Sequence, residues 1–278
     1  MAEAHIGISG WTYPPWRGDF YPPKLPHKRE LAYAASRLGS IEVNGTFYGL
    51  LRPTTFAGWV GEVPDDFVFA VKGSRFITHL KKLADVEVPL ANFFASGVLA
   101  LERHLGPVLW QLPPNLGFDA DRLADFFDAL PRTAGAAAEL AGRHDHRIPA
   151  DRELTTTAVP EHPLRHALEV RHDSFRTPDL APLLREHDIA LVWADNPGKW
   201  PVLDSDTTSF RYVRLHGDTQ LYACGYTDEA LDAWADRIGA WLAAGQDVYV
   251  YCDNDAKVRA PYDAMGLMDR LGLAKPRP

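Results

Sequence analysis

Short apolar runs of strand length recur along the chain, and each ends in a charged or amide side chain. The clearest is HALEVRHDSF at residues 166–175, where Leu168 and Val170 alternate with Glu169 and Arg171. Alternation with a period of two describes a strand with one apolar and one ionic side. IEVN, FVFAVK, VLWQLPP, IALVWADN, YVRLHG and VYVYCDND repeat the theme, and IGISGW opens the series. A helical pattern follows each run. In FDADRLADFFDAL, for example, Leu123, Phe126, Phe127 and Leu130 share one side. Such a series predicts an α/β protein: a (β/α)8 TIM-type barrel, one domain over residues 1–278. Its ionic strand faces would turn inward, and its site would lie at the carboxyl ends of the strands.

In chain order, the strands are expected at 6–11, 40–44, 67–73, after Gly106, around Glu169, and at 189–196, 210–217 and 247–255. Asn44-Gly45 is by itself a hairpin signal. The helical PTTFAGWVGEV directly after it, with Pro53 suited to a first turn, favours a bend at the end of a barrel strand instead. Helices are expected over 28–38, roughly 85–104, 228–245 and 260–271. The segment TYPPWRGDFYPPKLP is too rich in proline for a sheet or helix interior and reads as a loop over the barrel mouth. Its rings, with Trp11, Tyr13, Trp16, Phe20 and Tyr21, would either stack on a ligand or pack on the rim. Residues 132–165 read as a long connection, in which His144, Asp145 and His146 form a triplet best taken as solvated.

Composition narrows the partners. The 278 residues carry a formal net charge of −8, which argues against an extended basic face for duplex nucleic acid. No apolar run is long enough to span a membrane, and the amino terminus lacks the pattern of a signal peptide. Two cysteines, Cys224 and Cys252, predict no disulfide framework and a reducing compartment, hence a cytoplasmic protein. No GxGxxG, GxxxxGK[ST] or GxSxG motif is present, so nicotinamide, nucleoside-triphosphate or serine-hydrolase chemistry of those standard types is not expected.

The motifs GISGWTYPPWRGDFYP, IEVNGTFYG, FAVKGSRFITH, LWQLPP, HALEVRHDSF, YVRLHG and YVYCDND resemble, in type, order and spacing, those of the YecE-like proteins known as domain of unknown function 72. The resemblance spans nearly the whole chain and implies a TIM-type barrel without supplying a reaction. Cys252-Asp253 departs from it, since the family often has an aromatic residue and an asparagine there, and this weakens any role for Asp253. A looser fold-level likeness to endonuclease IV and xylose isomerase barrels suggests nucleic-acid or sugar chemistry by analogy alone.

The groups expected at the mouth are Glu42, Asn44, Lys72, Gln111, Glu169, Arg171, Asp195, Arg214, His216, Asn254 and Asp255. Buried charges must pair or bind something, so Glu42 with Lys72, and Glu169 with Arg171 or Arg214, are the expected internal pairs. The leading functional expectation is an enzyme or binder for an anionic small molecule bearing a phosphate or carboxylate. Lys72, Arg171 and Arg214 would hold the anion, with Trp11, Tyr13, Asn44, Gln111 and Asn254 around it. Glu42 or Glu169 would serve as general base and His216 as the acid. The alternatives are a metal-dependent hydrolase or isomerase using Glu42, Glu169, Asp195 and His216 as ligands, and a nucleic-acid binder, the less favoured partner. No cofactor is predicted, with a divalent metal as the one candidate, and oligomeric state is not readable.

Overall fold

The structure is a computed structural model that describes residues 2–273. Eight parallel strands close into a barrel in sequential order, surrounded by helices. They are β1 (Ala4–Ser9), β2 (Ser40–Val43), β3 (Val68–Lys72), β4 (Leu105–Gln111), β5 (His166–Glu169), β6 (Ile189–Asp195), β7 (Phe210–Leu215) and β8 (Asp247–Cys252). The helices are α1 (Glu30–Ala35), α2 (Gly45–Tyr48), α3 (Pro53–Val60), α4 (Glu87–Ala95), α5 (Ala120–Asp128), α6 (Ala134–Ala141), α7 (Leu180–Glu186), α8 (Asp228–Ala243) and α9 (Ala260–Arg270). The (β/α)8 expectation therefore holds, and Asn44-Gly45 opens the short helix α2 rather than a hairpin.

By contact density the chain forms two compact units, one of Met1–Glu42, Val63–Val68 and Ala190–Pro278 and one of Val43–Glu62 and Phe69–Ile189. In the first, parallel register sets Ser9 beside Glu42 and Arg214 beside Tyr251. These polar residues lie on the strand faces turned away from the helices. The opposite faces, with Ile8, Ile41, Val213, Leu215 and Val250, are buried and apolar. Helix α8 begins with Thr227 accepting from the Ala230 amide, and Asp228 and Glu229 complement the positive end of its dipole. Leu231, Trp234, Ala235 and Ile238 form its buried stripe.

In the second unit, Gln111 of β4 stands beside Glu169 of β5, while Trp110 and Leu168 share the other side. Trp110 packs edge-on against Phe126 of α5, which fixes that side as the helix-facing one. Helix α5 is capped by Asp119, whose carboxylate accepts from the Arg122 amide, and α6 by Thr133. Gly73, directly after β3, has no alternative: a Cβ there would lie 2.3 Å from the Trp110 ring.

Three expected boundaries move. The helix expected over 85–104 is two pieces, because Gly97 turns left-handed (φ 114°) and α4 gives way to a 3-10 stretch over Val98–His104. Strand β1 stops at Ser9, where Gly10 takes φ 80°, so Trp11 belongs to the following loop. Strand β5 stops at Glu169, leaving Arg171 two residues past its end.

Candidate functional site

In the first unit, Glu42 is fully buried and takes four donors. Its Oε1 accepts from Ser9 Oγ at 2.5 Å and Arg214 Nη2 at 2.9 Å. Its Oε2 accepts from the Tyr212 hydroxyl at 2.7 Å and Arg214 Nε at 3.1 Å. Both oxygens of the carboxylate are thus held by hydrogen bonds from Ser9, Tyr212 and Arg214. Arg214 is 1% exposed. Its Nη2 also reaches Asp253 Oδ2 at 3.1 Å, and His216 Nδ1 lies 2.9 Å from the same oxygen. The His216 ring meets Trp200 and Tyr222 edge-on. Burial and the adjacent Glu42 drive the Tyr212 hydroxyl pKa well above its ordinary value, so this phenol stays protonated and donating.

Glu42 thus takes Arg214 as its partner in this unit, where the sequence suggested Lys72. Asp253, discounted on sequence, bridges Arg214 and His216. Asp195 does not join the cluster. It follows Trp193 on the helix-facing side of β6, where its Oδ2 accepts from the Tyr226 hydroxyl at 2.9 Å and Trp234 Nε1 at 3.3 Å. The four-residue metal set of Glu42, Glu169, Asp195 and His216 therefore loses a member to the strand's period of two. Among the described residues, no group of three or more His, Cys, Asp or Glu is placed to hold a metal ion. Asn254 is buried and donates to the Cys224 carbonyl at 2.8 Å and Asp263 at 2.6 Å, tying the end of β8 to α9. Of the first-loop rings, Trp16, Phe20 and Tyr21 are buried among one another and Tyr33, so they are core. Trp11 and Tyr13 alone of the five keep partial exposure, with the Tyr13 hydroxyl donating to the Ser9 carbonyl.

The second unit gathers Lys72, Gln111, Glu169 and Arg171. Glu169 is fully buried. Its Oε1 accepts from Arg171 Nε at 2.8 Å and Gln111 Nε2 at 3.1 Å, which is one of the pairings read from sequence. Lys72 is 8% exposed and holds its ammonium 4.5 Å from the centre of the Phe47 ring. Thr46 pins α2 to β3 by donating to the Lys72 carbonyl at 2.7 Å, which brings Phe47 to that position. Asn44 begins the same helix, its carbonyl accepting from the Phe47 amide.

Two residues of this cluster were not among the sequence candidates. Phe47 lies in GTFYG and His79 in SRFITH, both motif segments, but no spacing rule marks either ring as a partner of Lys72. His79 meets Phe47 edge-on at 5.0 Å. It is carried by a π-helical turn, Phe76–Leu80, a geometry common at functional sites. Burial pushes its pKa down to about 4, helped by the nearby cations Lys72, Arg171 and Arg75 and opposed by Glu169. At neutral pH this imidazole is uncharged, with Nδ1 2.9 Å from Thr78 Oγ1. In the triplet of the long connection, expected to be solvated, His144 bonds Glu153 and Asp145 accepts from Asn92, while His146 is exposed.

A family model described as a protein of unknown function, DUF72, matches residues 5–278. The chain belongs to the DUF72 family. DUF72 relatives include the UPF0759 protein YunF of Bacillus subtilis (strain 168), 28% identical over 124 residues, which are 40% of this chain and 40% of that protein. The UPF0759 protein YecE of Escherichia coli (strain K12) is 28% identical over 128 residues, 46% of this chain and 44% of its own length. The matched stretch thus spans less than half of either relative. A DUF72 family protein from Thermotoga maritima MSB8 superposes with a TM-score of 0.75 at 24% identity, covering 97% of this chain and 99% of that one. A second, from Enterococcus faecalis V583, gives 0.73 at 17% identity over 99% and 98%. These likenesses establish the DUF72 fold and carry no activity. Among the described residues, no helix is long and apolar enough to cross a membrane.

Proposed function

We propose that this DUF72 protein binds an anionic small molecule, bearing a phosphate or carboxylate, at the ends of β3 and β5. One observation carries the reading: the buried Lys72 ammonium and the His79 ring meet the same Phe47 ring, 4.5 Å and 5.0 Å from its centre. Arg171, bonded to Glu169, and Arg75 lie near enough to help lower the His79 pKa. Positive groups gathered in one place and partly withdrawn from water favour an anion. Arg171, whose Nε and Nη2 reach Glu169, adds delocalised positive charge, Lys72 a point charge, and neutral His79 a donor that costs no proton uptake at pH 7. Arg214, expected to join them, is assigned instead to holding Glu42, so it supports the scaffold. Should the bound molecule react, Glu169 is the carboxylate beside it.

The test is calorimetric titration of the whole chain with inorganic phosphate and with phosphorylated and carboxylated metabolites. Binding should weaken roughly tenfold or more in Lys72→Met, since a hydrogen bond to a charged group is worth about 1.5–3 kcal/mol. The salt dependence should be shallow, as for a few contacts and not for a strand of phosphates. No binding by any anion at millimolar concentration, or undiminished binding in Lys72→Met, defeats the reading.

A further inference from the structure

We infer that the ligand of this site carries a planar aromatic ring beside its anionic group, and that Tyr48 is the surface on which the ring stacks. The inference rests on the anion site proposed above and names its substrate class. Among the described residues, eight large apolar side chains are exposed, and five of them, Tyr48, Leu50, Phe76, Leu80 and Val88, fall between positions 48 and 88. Scattered exposed apolar residues need no explanation, but Tyr48 and Leu80 directly follow two residues of the Lys72 cluster, Phe47 and His79.

Phe47 is the hub. Lys72 sits over its ring, His79 meets it edge-on, and Tyr48 meets it edge-on at 5.1 Å with an interplanar angle of 90°. Tyr48 is therefore one ring away from both the ammonium and the imidazole. It is 72% exposed, and Phe47 is its single ring contact among the described residues. Leu80, adjacent to His79, is 61% exposed. A folded chain gains little by holding a tyrosine and a leucine in water beside a cationic cluster. A ligand with an aryl group and an anionic group would cover the first and neutralise the second. Tyr48 also sits on a fastened support: the Thr46 hydroxyl of α2 donates to the Lys72 carbonyl at 2.7 Å, with the Val43 carbonyl 3.1 Å from the same oxygen. A stacking surface held in place costs little ordering entropy on binding.

The experiment is calorimetric titration of the whole chain with phenyl phosphate, cyclohexyl phosphate and inorganic phosphate, repeated on Tyr48→Ala. Because Tyr48 is exposed, that variant should fold, and its circular dichroism and melting curve verify this. Phenyl phosphate should bind about tenfold more tightly than inorganic phosphate, with cyclohexyl phosphate between them, as aromatic stacking predicts. In Tyr48→Ala the ratio of phenyl phosphate to inorganic phosphate affinity should fall to within about twofold. If all three bind equally, or if the ratio survives Tyr48→Ala, the aromatic subsite is wrong while the anion site stands. If none binds, the anion site itself is wrong and this inference falls with it.

Discussion

Glu42 shows how the partner of a side chain decides its role. On sequence it is a carboxylate at a strand end, equally suited to base, ligand or ion pair. In the fold, two Arg214 nitrogens, Tyr212 and Ser9 occupy both of its oxygens. Removing its charge leaves the buried guanidinium with Asp253 as its described carboxylate partner, and breaking a buried pair costs about 3–5 kcal/mol. Glu42→Gln should therefore lose roughly 3 kcal/mol in urea denaturation. Replacing both partners with apolar residues of similar volume, Glu42→Leu with Arg214→Met, should cost less than the single change. A Glu42→Gln protein within about 1 kcal/mol of wild type would mean that the Glu42–Arg214 pair does not hold the fold as described. The choice of partner was not legible in the sequence. Glu42 and Arg214 lie 172 positions apart, and their meeting follows from strand order around the barrel, which no local pattern encodes.

The elements themselves were legible because their signals are local. Apolar alternation in the strands, and helical spacing such as that of Leu123, Phe126, Phe127 and Leu130, are read within a few positions. What escaped is the inside or outside of single residues near strand ends, where a shift of one position changes the face. Asp195 was lost to the site in this way. Strand β5 likewise carries a titratable group on the helix side. His166 is fully buried, its Nε2–H donating to the Pro131 carbonyl at 2.8 Å and its Nδ1 accepting from Trp110 Nε1 at 3.2 Å. That arrangement needs the neutral ring, and burial pushes its pKa down to about 3. The folded pKa lies below the unfolded value of about 6.5, so the unfolded chain binds the extra proton. Stability from this residue is intact above about pH 6.5 and falls by about 1.4 kcal/mol per pH unit below it, until the folded pKa is reached. Denaturant midpoints measured at pH 7.5 and pH 5 should differ more in wild type than in His166→Gln. Equal differences would mean that His166 does not carry this acid sensitivity.

At the scale of the molecule, the barrel was readable from repetition, and membership of the DUF72 family agrees with it. The composition of the cationic cluster was half readable. Lys72, Gln111, Glu169 and Arg171 stood out as polar strand ends. Phe47, Tyr48 and His79 did not, because aromatic and imidazole side chains after a strand look the same whether they fill a core or face a ligand. The central claim is that this cluster is an anion site, and His79 is the reporter inside it. The direct measurement is an NMR titration of the His79 ring protons, assigned through His79→Gln, in the absence and presence of saturating phosphate. The account predicts a midpoint near 4 for the free protein, set by burial and by Lys72, Arg171 and Arg75. A bound anion favours the imidazolium, so phosphate should raise that midpoint. A midpoint near 6.5 that phosphate leaves in place would contradict the account.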